Sequence, residues 1–164
     1  MSLFLKSVDQ FLLYPPFLEK LILLKAACQS RGVKYLTTCG YRGWVESDRL
    51  HQIYLAGGPR AAPAGDSAHN YGLASDEGRI IQESPKRVVR WLVRDFTVLS
   101  EEAERLGLHT GAHYNDYPHV SWPSYVTAGD LRPLRKCWHA TEGMLLLPRL
   151  RKIWELVDQP RSTP

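Results

Sequence analysis

The sequence predicts an α+β fold, with a small central antiparallel sheet flanked by helices. Three observations lead there. Phe17, Leu18, Leu21, Leu24 and Cys28 recur at helical spacing after Pro15-Pro16. Val33 to Cys39 alternates and is β-branched, the pattern of a half-buried strand. Tyr117 to Trp122 is a second short apolar and aromatic run, bounded by Asp116 and Pro123.

The elements follow in order. The first helix closes at Arg31-Gly32, a cation and then a glycine, which suits a helix C-terminus. The first strand ends at Gly40. A short helical pattern from Val45 to Leu55 leads into the loop Gly57-Gly-Pro-Arg-Ala-Ala-Pro-Ala-Gly65, whose glycines and prolines disfavour regular structure. Ser84-Pro85 reads as an N-cap with proline at the first helical position. One or two helices are therefore expected to Leu106-Gly107, with a break at Thr97 to Ser100. Leu134 to Val157 is apolar and basic, and Pro148 is expected to divide it into two helices.

At 164 residues with 44% hydrophobic and 23% charged side chains, the chain has one ordinary core and no disordered composition. The net charge of +4 favours polyanionic surroundings, but no nucleic-acid-binding motif accompanies it, so nucleic acid is not expected as a partner. Cys28, Cys39 and Cys137 are widely spaced with no Cys-x-x-Cys pair, which indicates neither a disulfide scaffold nor a thiolate zinc site. The N-terminus lacks the pattern of a secretory signal, and the Pro160–Pro164 end reads as a frayed tail. The apolar stretch from Phe11 to Ala27 is interrupted by Pro15, Pro16, Glu19, Lys20 and Lys25. It cannot cross a hydrocarbon layer of about 30 Å as a helix.

Two separated clusters carry metal-ligand residue types: Ser67-Ala-His69-Asn-Tyr-Gly72-Leu-Ala74-Ser-Asp76, and Asp116-Tyr-Pro-His119. A catalytic zinc takes three ligands from His and carboxylate and keeps one position open, a set that His69, Asp76 and His119 can supply. Asp116 is then the candidate general base. Asp76 follows His69 by seven residues, which is not helical ligand spacing, so a turn and a strand are expected between them, with Gly72 permitting the bend.

Taken together, these motifs resemble the zinc peptidases of bacterial cell walls, the D-alanyl-D-alanine carboxypeptidases and the L-alanyl-D-glutamate endopeptidases of phage endolysins. Thr38-Cys-Gly40-Tyr41-Arg42 is similar to the family's Ser-Gly-Tyr-Arg segment, and Ile53-Tyr54 with Gly57 to its Leu-Tyr-x-x-Gly stretch, so the resemblance covers roughly residues 15 to 122. It implies a zinc site on the sheet of a hedgehog/DD-peptidase-like fold, with His69, Asp76 and His119 as ligands, Asp116 as base and Arg42 meeting substrate. Asp116-x-Pro118-His119 is closer to the phage-type endopeptidases than to the carboxypeptidases, which tend to carry Glu-x-x-His. Val120 stands where Phe is frequent, the Gln before the Leu-Tyr pair is missing, and His109-Thr-Gly111 replaces Trp-Gly-Gly.

The implied function is hydrolysis of peptidoglycan stem peptides between L-alanine and D-glutamate by a monomeric phage-type endolysin, which accumulates in the host cytoplasm and reaches the wall after membrane permeabilisation. The alternatives are a carboxypeptidase on the same site and a non-catalytic zinc-stabilised phage module. Three residues keep two readings each. Arg42 either offers a fork to a substrate carboxylate or pairs with an acidic neighbour. Ser67 either orients substrate or caps a turn, and His113 is either an oxyanion donor or a solvated loop histidine. Tyr41 and Tyr71 read as packing residues. Residues 1–124 are read as the catalytic domain and 125–164 as a helical extension packed on it. Its basic and apolar residues, among them Arg132, Arg135, Lys136, Trp138 and Trp154, suit either such packing or weak contact with an anionic membrane.

Overall fold

The computed structural model describes residues 10–160. The N-terminal segment read for a signal and the last four residues of the tail lie outside them. Helix α1 (Pro15–Ser30) opens on two prolines, which suit a first turn that needs no N–H donors. It buries Phe17, Leu21, Leu24 and Cys28 along one face. Strand β1 (Lys34–Cys39) then pairs antiparallel with β2 (Ala74–Gln82), and helix α2 (Trp44–Leu55) lies between them in the chain.

Strand β2 is the hub of the sheet. On its other side it pairs antiparallel with β5 (His119–Ser121) through residues 74–76 and with β3 (Val88–Arg90) through residues 79–82; β4 (His109–Thr110) extends the sheet beyond β5. Helix α3 (Thr97–Arg105) packs on α1, while α4 (Ala128–Ala140) and α5 (Leu146–Val157) pack on each other. The fold is the expected α+β arrangement of a small antiparallel sheet and helices.

Three local expectations are corrected. The segment after Ser84-Pro85 does not begin a helix. Val88-Val89-Arg90 pairs with Gln82, Ile80 and Arg79 as the return arm of a hairpin, because its β-branched residues suit a ladder and Gly78 gives Val89 and Trp91 room to lie close. A single-turn 3₁₀ segment, Val93–Phe96, follows, and Thr97 starts α3 instead of breaking a helix. The strand around His119 is also shorter than Tyr117–Trp122, since His119 N–H donates to the Asp116 carbonyl at 3.0 Å and closes a turn over residues 116–119.

The third correction concerns Pro148, which sits in the first turn of α5, where a missing N–H costs nothing. The two C-terminal helices are divided instead at residues 141–145, where Gly143 adopts φ +87°. These helices bury Leu131, Leu134, Trp138, Leu150, Ile153 and Trp154 in the core, and the Trp154 indole donates to the Tyr71 carbonyl at 2.8 Å. Packing thus accounts for their apolar face. Trp44 stacks on Trp138 at 4.9 Å, and the Arg149 guanidinium lies 3.7 Å over the other ring, a layered contact joining α2, α4 and α5.

Asp95 staples the hairpin to α3. Its buried carboxylate accepts from Arg90 Nε at 2.7 Å, Arg90 Nη2 at 2.5 Å, Arg79 Nη1 at 3.3 Å and Leu92 N–H at 3.2 Å. The Arg90 hydrogen bonds outweigh burial and hold its pKa below the ordinary carboxylate value. A group whose folded pKa is depressed stabilises fully above its unfolded pKa and loses that contribution as pH falls through the folded value. Asp95→Asn is therefore expected to cost about 2–3 kcal/mol at neutral pH, the range for hydrogen bonds to charged groups. Urea unfolding should show that deficit shrinking progressively below about pH 4; a deficit constant down to acid pH would refute the assignment.

Candidate metal centre

Asp76 occupies the crossing point of the sheet. Its Cα partner is Cys39 on β1 and His119 on β5, so the side chains of Cys39, Asp76 and His119 form one row across the same face. His69 reaches that row from a 3₁₀ turn, Ala68–Tyr71, which is ended by Gly72 at φ +69°. A Cβ at Gly72 would collide with the Leu12 carbonyl, so both the bend and the close approach require glycine there.

Three ligand-type atoms meet in a triangle. His69 Nε2 and Asp76 Oδ1 are 3.3 Å apart, His119 Nδ1 and Asp76 Oδ1 are 3.3 Å apart, and the two imidazole nitrogens are 3.3 Å apart. Three atoms each held about 2.0–2.1 Å from a tetrahedral centre are separated by about 3.3–3.4 Å, so the triangle has the size of one face of a tetrahedral zinc site. The tautomer fits too. The Gly40 carbonyl can only accept, so at 2.7 Å it holds a proton on His69 Nδ1 and makes Nε2 the nitrogen that faces the triangle.

The electrostatics favour a cation at this point. His69 is buried, which by itself would lower its pKa, yet the facing Asp76 carboxylate and Cys39 push it up to about 10. Asp76, despite burial that works in the opposite direction, is drawn well below the usual carboxylate range by His69 and His119. Both shifts mean that added positive charge is stabilised here.

Asp116 lies just outside. Its N–H donates to the Gly111 carbonyl at 2.9 Å and its carbonyl accepts from His119 N–H at 3.0 Å, a turn that sets the carboxylate beside the ligand row. Gly111 has no room for a Cβ against the Asp116 carbonyl, which explains a glycine at this place in the altered His109-Thr-Gly111 segment. The Asp116 side chain remains open to solvent, and desolvation by its crowded surroundings raises its pKa, partly opposed by His119 and reinforced by Asp76.

The other candidates fall into different places. Arg42 contacts the row directly: its Nη2 donates to Asp76 Oδ2 at 3.2 Å and to Cys39 Sγ at 3.3 Å. Ser67 precedes the His69 turn at its N-cap position without a side-chain capping bond, while its carbonyl accepts from Asn70 N–H at 3.0 Å. His113 is exposed and engaged with Glu104 of α3 at 3.3 Å, so the structure does not bring it into the triangle. Tyr41 and Tyr71 pack against or within the core.

Cys39 is the residue that sequence reasoning passed over. Its Sγ lies 3.8 Å from His69 Nδ1, and Cys39, His69 and Asp76 offer ligand-type atoms within 4.8 Å of one another. Burial raises the thiol pKa, but His69 and Arg42 outweigh it and the net shift is downward. The only signal in the sequence was its place in Thr38-Cys-Gly40-Tyr41-Arg42, where the family carries serine.

No family model matches the chain. The chain is 31% identical over 123 residues to the peptidoglycan L-alanyl-D-glutamate endopeptidase CwlK of Bacillus subtilis (strain 168), spanning 66% of this chain and 72% of that protein. The chain belongs to the peptidoglycan endopeptidase family. That membership makes it an enzyme of the hydrolase class. Its fold is also similar to the crystal structure of the Serratia marcescens L-Ala D-Glu endopeptidase ChiX, with a TM-score of 0.50, 18% identity, and coverage of 70% of this chain and 83% of that one. Among the described residues no helix is long and apolar enough to cross a membrane.

Proposed function

We propose that this enzyme is a zinc peptidase that cuts the bond between L-alanine and D-glutamate in peptidoglycan stem peptides. The observation that carries the reading is the triangle of His69 Nε2, Asp76 Oδ1 and His119 Nδ1, with 3.3 Å edges and a charge pattern that favours a cation. The names of the two similar proteins support the choice of bond. The Asp-x-Pro-His form of the second motif supports a phage-type endolysin as the biological setting, with accumulation in the host cytoplasm before wall contact.

Bound by His69, Asp76 and His119, zinc would polarise the scissile carbonyl and make water acidic enough to attack at neutral pH. The chain's own residues do the rest. Asp116 takes the proton of the attacking water and delivers it to the leaving amine; its raised pKa moves it toward the range where one group can do both. Ser67, at the edge of the His69 turn, would orient the peptide. The Gly40 carbonyl holds the His69 ring by Nδ1, so that Nε2 is the nitrogen that would ligate the metal.

Mass spectrometry of fragments released from purified peptidoglycan tests this. The zinc-loaded protein is expected to create new D-glutamate amino termini, to lose that activity on treatment with a chelator, and to regain it with zinc. Release of free D-alanine without D-glutamate termini would overturn the choice of bond. Undiminished cleavage after complete metal removal would overturn the zinc mechanism.

A further inference from the structure

Residues 38–42 hold Asp76 more closely than a three-ligand triangle requires. Thr38 Oγ1 donates to the Asp76 carbonyl at 3.1 Å, and β1 shifts register between Thr37 and Cys39, a bulge that re-aims the residues following it. The two N–H bonds of Arg42 Nη2 go to two acceptors, Asp76 Oδ2 and Cys39 Sγ. The backbone that carries this guanidinium is itself fixed. Arg42 N–H donates to the His69 carbonyl at 3.0 Å, and the Arg42 carbonyl accepts from Asn70 Nδ2 at 2.8 Å. Asn70 is fully buried and bonds Ser47 Oγ at 2.8 Å and Gly65 N–H at 2.9 Å. Asp76 thus has its two oxygens assigned to separate tasks, Oδ1 to the triangle and Oδ2 to Arg42.

Building on the zinc reading above, we propose that Arg42 and Cys39 are a positioning pair that holds Asp76 with only Oδ1 turned toward the metal, and that Arg42 is not the receptor for a substrate carboxylate. A lone carboxylate rotates about its last bond and can present both oxygens to one cation. A planar guanidinium on the second oxygen removes that freedom. Cys39 keeps the guanidinium in place by accepting its other N–H. Serine offers an acceptor at the same position, whereas alanine offers none.

The test measures zinc dissociation constants by competition with a chromophoric chelator and records the cobalt(II) spectrum. It compares wild type with Arg42→Met, Cys39→Ala and Cys39→Ser, alongside kcat and KM on a stem peptide. Loss of an outer partner of a metal ligand weakens binding about 10–100-fold, and that is the expected effect of Arg42→Met, with an altered cobalt spectrum and a fall in kcat rather than a rise in KM. Cys39→Ala should move the same way and Cys39→Ser should restore wild-type behaviour. Arg42→Met with unchanged zinc affinity and spectrum but a raised KM would overturn the proposal and return Arg42 to substrate binding. If Arg42→Met does not fold, the cysteine pair decides: equal zinc affinity in Cys39→Ala and Cys39→Ser overturns it. A wild type that takes up no zinc overturns the zinc reading as well, an outcome distinct from these.

Discussion

Asp116→Asn is expected to fold, to retain zinc at the wild-type stoichiometry, and to lose about 10²–10⁴-fold in kcat, the range contributed by a positioned general acid–base group. The reason lies in the division of labour at the site. The three triangle atoms come from His69, Asp76 and His119, whereas among the described residues Asp116 is tied through its backbone, to Gly111 and His119. Replacing its carboxylate with an amide of the same shape leaves those backbone bonds intact and removes only the proton acceptor. Zinc content by elemental analysis together with steady-state rates on a stem peptide reads both halves. A variant that keeps its zinc and turns over within about threefold of wild type would remove Asp116 from the reaction.

Lys25→Met is expected to destabilise the fold by about 3–5 kcal/mol, the cost of stranding one member of a buried ion pair. Lys25 lies on the inner face of α1 and its ammonium sits 2.8 Å from Glu77 Oε2, with both side chains almost wholly buried. Glu77 Oε1 also accepts from Thr37 Oγ1 at 2.7 Å, and Glu77 N–H donates to the Pro118 carbonyl. Glu77 therefore joins α1 and β1 through its carboxylate and the chain entering β5 through its N–H, one residue along from Asp76. Replacing both partners, as Lys25→Met with Glu77→Leu, should recover most of the loss because no buried charge remains uncompensated. Denaturant unfolding of the single and double variants checks this cycle. A single variant within about 1 kcal/mol of wild type would show that the pair carries no net weight.

What the sequence disclosed and what it concealed divide along physical lines. Apolar periodicity in Phe17, Leu21, Leu24 and Cys28 located α1, and alternation before Gly40 located β1, because burial on one face leaves a repeat in the chain. The candidate ligands were legible because His69, Gly72, Asp76 and His119 are chemically unusual together. The β2–β3 hairpin was misread because Ser84-Pro85 resembles a helix start, while the pairing that determines Val88–Arg90 lies across the sheet at Arg79 and Ile80. The division of the C-terminal helices was misplaced for a similar reason. Proline breaks a helix interior but starts one in a first turn, and it is Gly143 that carries the break. Cys39 and the Arg42–Asp76 contact were hidden because they arise from cross-strand register, to which no spacing along the chain corresponds.

The position of Asp76 between Cys39 and His119 also sets an order of events in the life of the chain. A ribosome delivers His69 and Asp76 some forty to fifty residues before His119, and the third corner of the triangle exists only once β5 has been made and inserted beside β2. Until then His69 and Asp76 lack the third corner that gives the triangle its size. On the zinc reading proposed above, the complete ligand set therefore appears in one step, with closure of the sheet.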